Sequence, residues 1–310
     1  MKRVVRGEPA QIVHELERWM ADHPGVPVDT ARTSLYTAAE LYDTCLEPGG
    51  TYDASLDARA YAWSRAPRTR PAALARALHD HAVDLALDSW IQGRHLVGVM
   101  GGHRIERGHP AYAEAARLGA ALGAGQVVAT GGGPGAMEAA NLGARFAARP
   151  GDLDGALAML AEAPSYHPSI DRWVHRAFEV LDRYPDDTDT LGIPTWHYGH
   201  EPPNVFATAI AKYFRNSTRE ATLLEVCDAG IVFLPGLGGT VQEIFQDACE
   251  NYYATEESVA PMVLVGAAYW TEELPAWPLL RAIARGRPME EHVHLVESVE
   301  DAVNLIVSVT

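Results

Sequence analysis

A chain of 310 residues with 47% apolar side chains is long enough to bury a large core, as one large α/β domain or as two smaller ones. Its 25 Lys and Arg against 41 Asp and Glu give a net charge of −16, which repels nucleic acid and anionic membranes outside any local basic pocket and disfavours a polymer-binding role. No run approaches the roughly 20 apolar residues that span a bilayer, the N-terminus lacks the apolar core of a signal peptide, and Cys45, Cys227 and Cys249 form no CxxC pair; we expect a cytoplasmic protein with neither a disulfide framework nor a thiolate zinc site.

In chain order, Ile12, Val13, Leu16, Trp19 and Met20 recur at helical spacing, and Leu74, Leu78, Ala82 and Leu85 do the same. Between them the Gly-, Pro- and Arg-rich stretch from Glu47 to Pro71 reads as irregular chain. These features predict a helical extension over residues 1–94. From His95 short apolar runs alternate with helical stretches: HLVGVM, a helix from about Ala111, QVVAT, and a helix after Pro134. An amphipathic helix with Ile170, Trp173, Val174, Ala177 and Leu181 follows, and then the strands AGIVFLP, PMVLVG and VHLVES. The alternation predicts βαβ units and a doubly wound, Rossmann-like parallel sheet over residues 95–310, with function in the loops after the strands.

Two of those loops are rich in glycine. Gly131-Gly132-Gly133-Pro134-Gly135-Ala136 follows QVVAT and opens a helix, which brings backbone N–H groups and a helix N-terminus to one point and attracts phosphate. Tight strand-to-helix turns also need glycine for backbone reasons alone, and the loose GxGxxA match sits on the second strand with Pro134 inside it, so it is a weak dinucleotide fingerprint. Pro235-Gly236-Leu237-Gly238-Gly239-Thr240 repeats the arrangement after AGIVFL. Thr240 and Glu243 at T-x-x-E spacing fit a helix capping box, and they equally fit a hydroxyl on phosphate with a carboxylate facing a sugar.

GGGPGAMEAANLGA followed by LPGLGGTVQE resembles the LONELY GUY family of nucleotide phosphoribohydrolases over roughly residues 95–305. The family pairs GGGxxGxMxA with PGGxGTxxE, and an arginine in the helix before the second motif's strand; Arg219 holds that place. Two departures are Glu220 where the family has lysine and Leu237 where it has glycine.

The resemblance implies hydrolysis of the N-glycosidic bond of a nucleoside 5′-monophosphate, of purine or cytokinin type and with AMP a candidate, by a homodimer or higher homo-oligomer with no cofactor. Arg219 and Glu243 become the catalytic candidates. Gly236, Gly238, Gly239 and Thr240 would hold the 5′-phosphate, with Gly132, Gly133, Gly135, Met137 and Glu138 on the opposing wall, Gly101, Gly102 and His103 closing over the nucleotide, and Asn204 in the base-side region. There Trp196, His197, Tyr198 and His200 are candidates for stacking.

Lys212, Arg215 and Arg219 at i, i+3 and i+7 predict a shared helix face, with Lys212 solvated. HYGHE lacks the order of a helical zinc motif, so we expect no metal. The chain's scarcity of lysine argues against a pyridoxal-phosphate enzyme, and the competing reading is a nucleotide-binding regulator without catalysis.

Overall fold

In a computed structural model, residues 26–186, 188–197 and 201–309 are described, together with Arg18. The helix expected around residues 9–22 lies outside the described residues but for Arg18, and so do Tyr198 and His200. Seven parallel strands form one sheet, β1 (Leu96–Met100), β2 (Val127–Thr130), β3 (Thr190–Gly192), β4 (Ala209–Ile210), β5 (Ile231–Phe233), β6 (Met262–Val265) and β7 (Val293–Val296), in the order β4-β3-β2-β1-β5-β6-β7. This is the doubly wound α/β fold that the alternation predicts. β1 and β5 are buried along their whole length, because crossover helices cover both faces of a parallel sheet. Strand order reverses between β1 and β5, and the crevice at their C-terminal ends is where such sheets bind ligands.

Eleven α-helices lie among the described residues. α1 (Ala38–Leu41), α2 (Leu56–Arg65) and α3 (Arg70–Ile91) precede β1; α4 (Pro110–Leu122), α5 (Ala136–Arg145), α6 (Leu153–Ala161) and α7 (Ile170–Arg183) follow it. α8 (Asn216–Glu225), α9 (Gly238–Tyr253), α10 (Ala276–Ala284) and α11 (Val299–Val309) complete the second half. α2 corrects the reading of Glu47 to Pro71 as irregular: Ser55 caps the helix by accepting from the Ala58 N–H, 3.3 Å away, a local signal hidden among the neighbouring Gly, Pro and Arg.

Residues 26–94 pack into the same apolar core as the sheet, with Tyr36, Leu41, Tyr42, Val83 and Leu87 beside Val97, Phe206 and Tyr213. Tyr36 forms an antiparallel bridge with Ile210, both backbone bonds being made (2.9 and 2.8 Å), and so pairs the outer edge of β4. Tyr36 and His79 share a hydrogen bond of 2.7 Å, and His79 lies 3.0 Å from Asp80. Asp80 accepts the backbone N–H groups of Phe214 and Arg215.

Lys212 corrects its expected placement. It precedes α8 rather than lying on it, is 1% exposed, and pairs with Asp57 of α2 at 2.6 Å, where the indole of Trp196 donates to the same carboxylate oxygen. An unpaired ammonium there would be prohibitive, so the ion pair clamps the N-terminal helices to the sheet.

Candidate active site

The glycine loops after β2 and β5 lie on either side of β1 and border one cleft of about 1290 Å³ beside the sheet's reversal point. They are not equivalent. At the first, Gly135 holds φ +72°, a conformation side chains resist, and a Cβ there would lie 2.5 Å from the Gly102 oxygen. That oxygen accepts the Ala136 N–H, so α5 begins with its first donor already used and its loop buried. Gly132 is likewise internal: it holds φ +70° against Pro194, and its carbonyl accepts the Asn204 N–H. Asn204 is fully buried and braces the loop, donating to Gly133 O at 3.2 Å and accepting the Phe206 and Ala207 N–H groups.

The second loop is open. α9 starts at Gly238 with Leu237 as its N-cap and no side-chain cap. Thr240 therefore sits inside the first turn and Glu243 in the second, which removes the capping-box reading of that pair. Gly238 and Gly239 are exposed with nothing within 4 Å of a Cβ position, leaving room beside the first-turn N–H groups of the helix. Gly236 is needed for a close approach, since a Cβ would come within 2.1 Å of the Thr240 hydroxyl oxygen. Leu237 has φ −108°, so the departure from the family's second glycine brings no backbone penalty, and its side chain is exposed.

Arg219 and Glu243 meet in the cleft at 3.7 Å. Arg219 is 8% exposed, which rules out a solvated surface pair, and its Nε is buried without a hydrogen-bond partner. Burial pushes the Glu243 carboxyl up to about 7; the Arg219 charge opposes that shift and the Glu220 charge adds to it.

Sequence reasoning treated Glu220 only as a departure, and the structure puts it at the centre. It is buried, lies 3.6 Å from Arg219, and accepts from the side-chain amides of Asn216 (2.7 Å) and Gln242. The cation at Arg219 is thus shared between two carboxylates. Tyr269, just beyond β6, also borders the cleft and donates to Gly236 O at 2.6 Å, fixing the second glycine loop from behind. Its place at a strand's C-terminal end was the available signal.

Gly101, Gly102, Gly133, Met137, Gly236, Gly238, Gly239 and Thr240 line the cleft with Arg219 and Glu243. Met137 lies over Gly131 and Gly133. His103 approaches Glu201 to 3.7 Å on the same rim. Glu138 does not reach this cleft: it is 1% exposed and paired through both oxygens with Arg107, which stacks on Trp173. Gly132, Gly135 and Asn204 act behind the wall rather than on it. Trp196 is unavailable for stacking on a base, being 3% exposed and stacked on Phe214 at 4.5 Å.

No protein-family model matches the sequence, and no curated protein does. Among solved structures, the chain is similar to the molybdenum cofactor binding protein from the phototrophic bacterium Rippkaea orientalis, with 19% identity and a TM-score of 0.42 over 70% of this chain and 97% of that one. It is also similar to the Moco carrier protein from Chlamydomonas reinhardtii, with 17% identity and a TM-score of 0.41 over 70% of this chain and 99% of that one.

Proposed function

We propose that the chain is a nucleoside 5′-monophosphate phosphoribohydrolase of LONELY GUY type, releasing a purine or cytokinin-type base and ribose 5-phosphate. The observation that carries this reading is the Arg219–Glu243 pair, 3.7 Å apart in the cleft that also contains the open N-terminus of α9, where burial raises the Glu243 carboxyl to about 7. A phosphate on the first-turn N–H groups of Gly238, Gly239 and Thr240 is favoured by the helix field. The carboxylate then serves the sugar, where cleavage develops positive charge. The oxygen of a water bonds to C1′ while the C1′–N bond breaks with its electron pair going to the base. Glu243 takes one proton from the water, and the departing nitrogen acquires one from solvent. A carboxyl that titrates near neutrality both accepts and returns such a proton. Arg219 holds that carboxylate in place and lowers the cost of its ionisation. A homodimeric state and a cytoplasmic place of action belong to the same proposal; light scattering of the purified chain tests the first.

Free base released from a panel of purine, pyrimidine and cytokinin-riboside monophosphates, followed by chromatography, tests the activity. Glu243→Gln is expected to lower the rate by about 10²-fold or more while nucleotide binding persists. Binding without release by the wild-type chain would instead favour the regulator, and neither binding nor release would dispose of the nucleotide site.

A further inference from the structure

A second cavity, of about 700 Å³, opens between the N-terminal helices and the start of α8. Arg65 ends α2, Arg68 follows it, Arg76 lies on α3 and Arg215 immediately precedes α8, and all four border this cavity. In a chain of net charge −16 the four guanidinium groups around this hollow outnumber the three acids that border it, Asp80, Asp84 and Glu220. Arg65, Arg68 and Arg215 are exposed, and their side chains have no hydrogen-bond or ion-pair partner among the described residues.

Arg76 is the second, independent sign. It is 9% exposed, donates to Trp63 O at 2.7 Å and stacks over the Trp63 ring at 4.7 Å, yet its Nε is buried with no hydrogen-bond partner. Burial, and then the Arg68 charge, hold its pKa down. Buried donors left unmatched are uncommon in native proteins.

Two of the three acids bordering the cavity already accept hydrogen bonds on its wall. Asp80 accepts the backbone N–H groups of Phe214 and Arg215, and Glu220 accepts from Asn216 and Gln242. Burial raises the pKa of Asp84 and so weakens its claim on a cation. The N-cap of α8 is Arg215, whose side chain has nothing with which to accept, and Ser217 and Thr218 of the first turn border the same cavity, their N–H groups without a side-chain cap.

We propose that this cavity is a second anion site, separate from the nucleotide cleft, for a ligand carrying two or more linked phosphate groups, either free or as the tail of a nucleotide. The linked groups span the arginines, and one phosphate sits on the N-terminus of α8. Glu220 and Gln242 border both cavities, and Arg219 lies one turn along α8, so occupancy here changes the field at the first site and the reverse.

Calorimetry with pyrophosphate on the full chain tests the proposal. Gly239→Asp enters open space at α9 and blocks anions there; in that background pyrophosphate binding is expected to persist, and Arg65→Ala with Arg68→Ala to weaken it at least tenfold. ADP binding more tightly than pyrophosphate would assign the site to a nucleotide tail, and equal affinity to the free polyphosphate. Loss of binding in Gly239→Asp, or an affinity indifferent to the two arginines, overturns it. In the unaltered chain, pyrophosphate is expected to slow amide exchange at Ser217 and Thr218; slowing confined to Gly238–Thr240 overturns it equally.

Discussion

Arg219 lies between Glu220 on its own helix and Glu243 on the next, so the trio carries one negative charge when all are ionised. Glu220 raises the Glu243 pKa; Glu220→Gln therefore lowers it, and the acid limb of the kcat/KM profile for base release is expected to move to lower pH. An unmoved limb would mean that Glu243 is not the group titrating. The raised pKa has a second consequence. Between its ordinary value of 4.5 and about 7 the folded chain binds a proton that the unfolded chain releases. This carboxyl's contribution to stability is therefore full below 4.5 and is lost as pH rises through 7, about 3 kcal/mol in all. Denaturant melts of wild type and Glu243→Gln should diverge over that window, with the variant the more stable above it. Arg219 and Glu243 were legible in the sequence because motif spacing carries them. Glu220 was not, because its weight comes from which buried partners surround it.

At the scale of elements, the two glycine loops read alike in sequence but differ in their first-turn donors. The difference rests on Gly102, thirty-four positions away from Ala136, whose carbonyl occupies the N-terminus of α5 and leaves that of α9 open. No local pattern encodes such a meeting. Gly135→Ala is expected to destabilise the chain by roughly 1–3 kcal/mol, because it forces both a left-handed side chain and a clash with Gly102; chemical denaturation measures it. Gly236→Ala, directed at Thr240, should weaken mononucleotide binding more than it lowers stability, and the reverse order would place Thr240 in packing alone. The long strands and helices showed in apolar periodicity. β3 and β4, three and two residues long, were too short to show any.

For the whole molecule, residues 26–94 and the sheet share one apolar core, and polar ties are set within it. Lys212→Met leaves Asp57 buried with Trp196 as its indole donor and without its cation, so a loss of about 3–5 kcal/mol is expected in urea titration. A loss near zero would mean the pair is not formed in solution. Sequence reading placed Lys212 on a solvated helix face because charge is usually outside; only the three-dimensional meeting with Asp57 overrides that rule.

The Tyr36–Ile210 bridge also orders events during synthesis. A ribosome adding about 5–20 residues per second delivers the partner of Tyr36 on the order of ten seconds or more after Tyr36 itself emerges, and Asp57 waits about as long for Lys212. In that interval Tyr36 lacks its bridge partner, and the Asp57 carboxylate has the Tyr52 hydroxyl of its own segment but not its cation. The nascent N-terminal segment first meets α7, through Asp171 and His175, and gains its last ties only with the arrival of β4, so a chain stalled before residue 209 would leave the Tyr36 backbone groups unpaired.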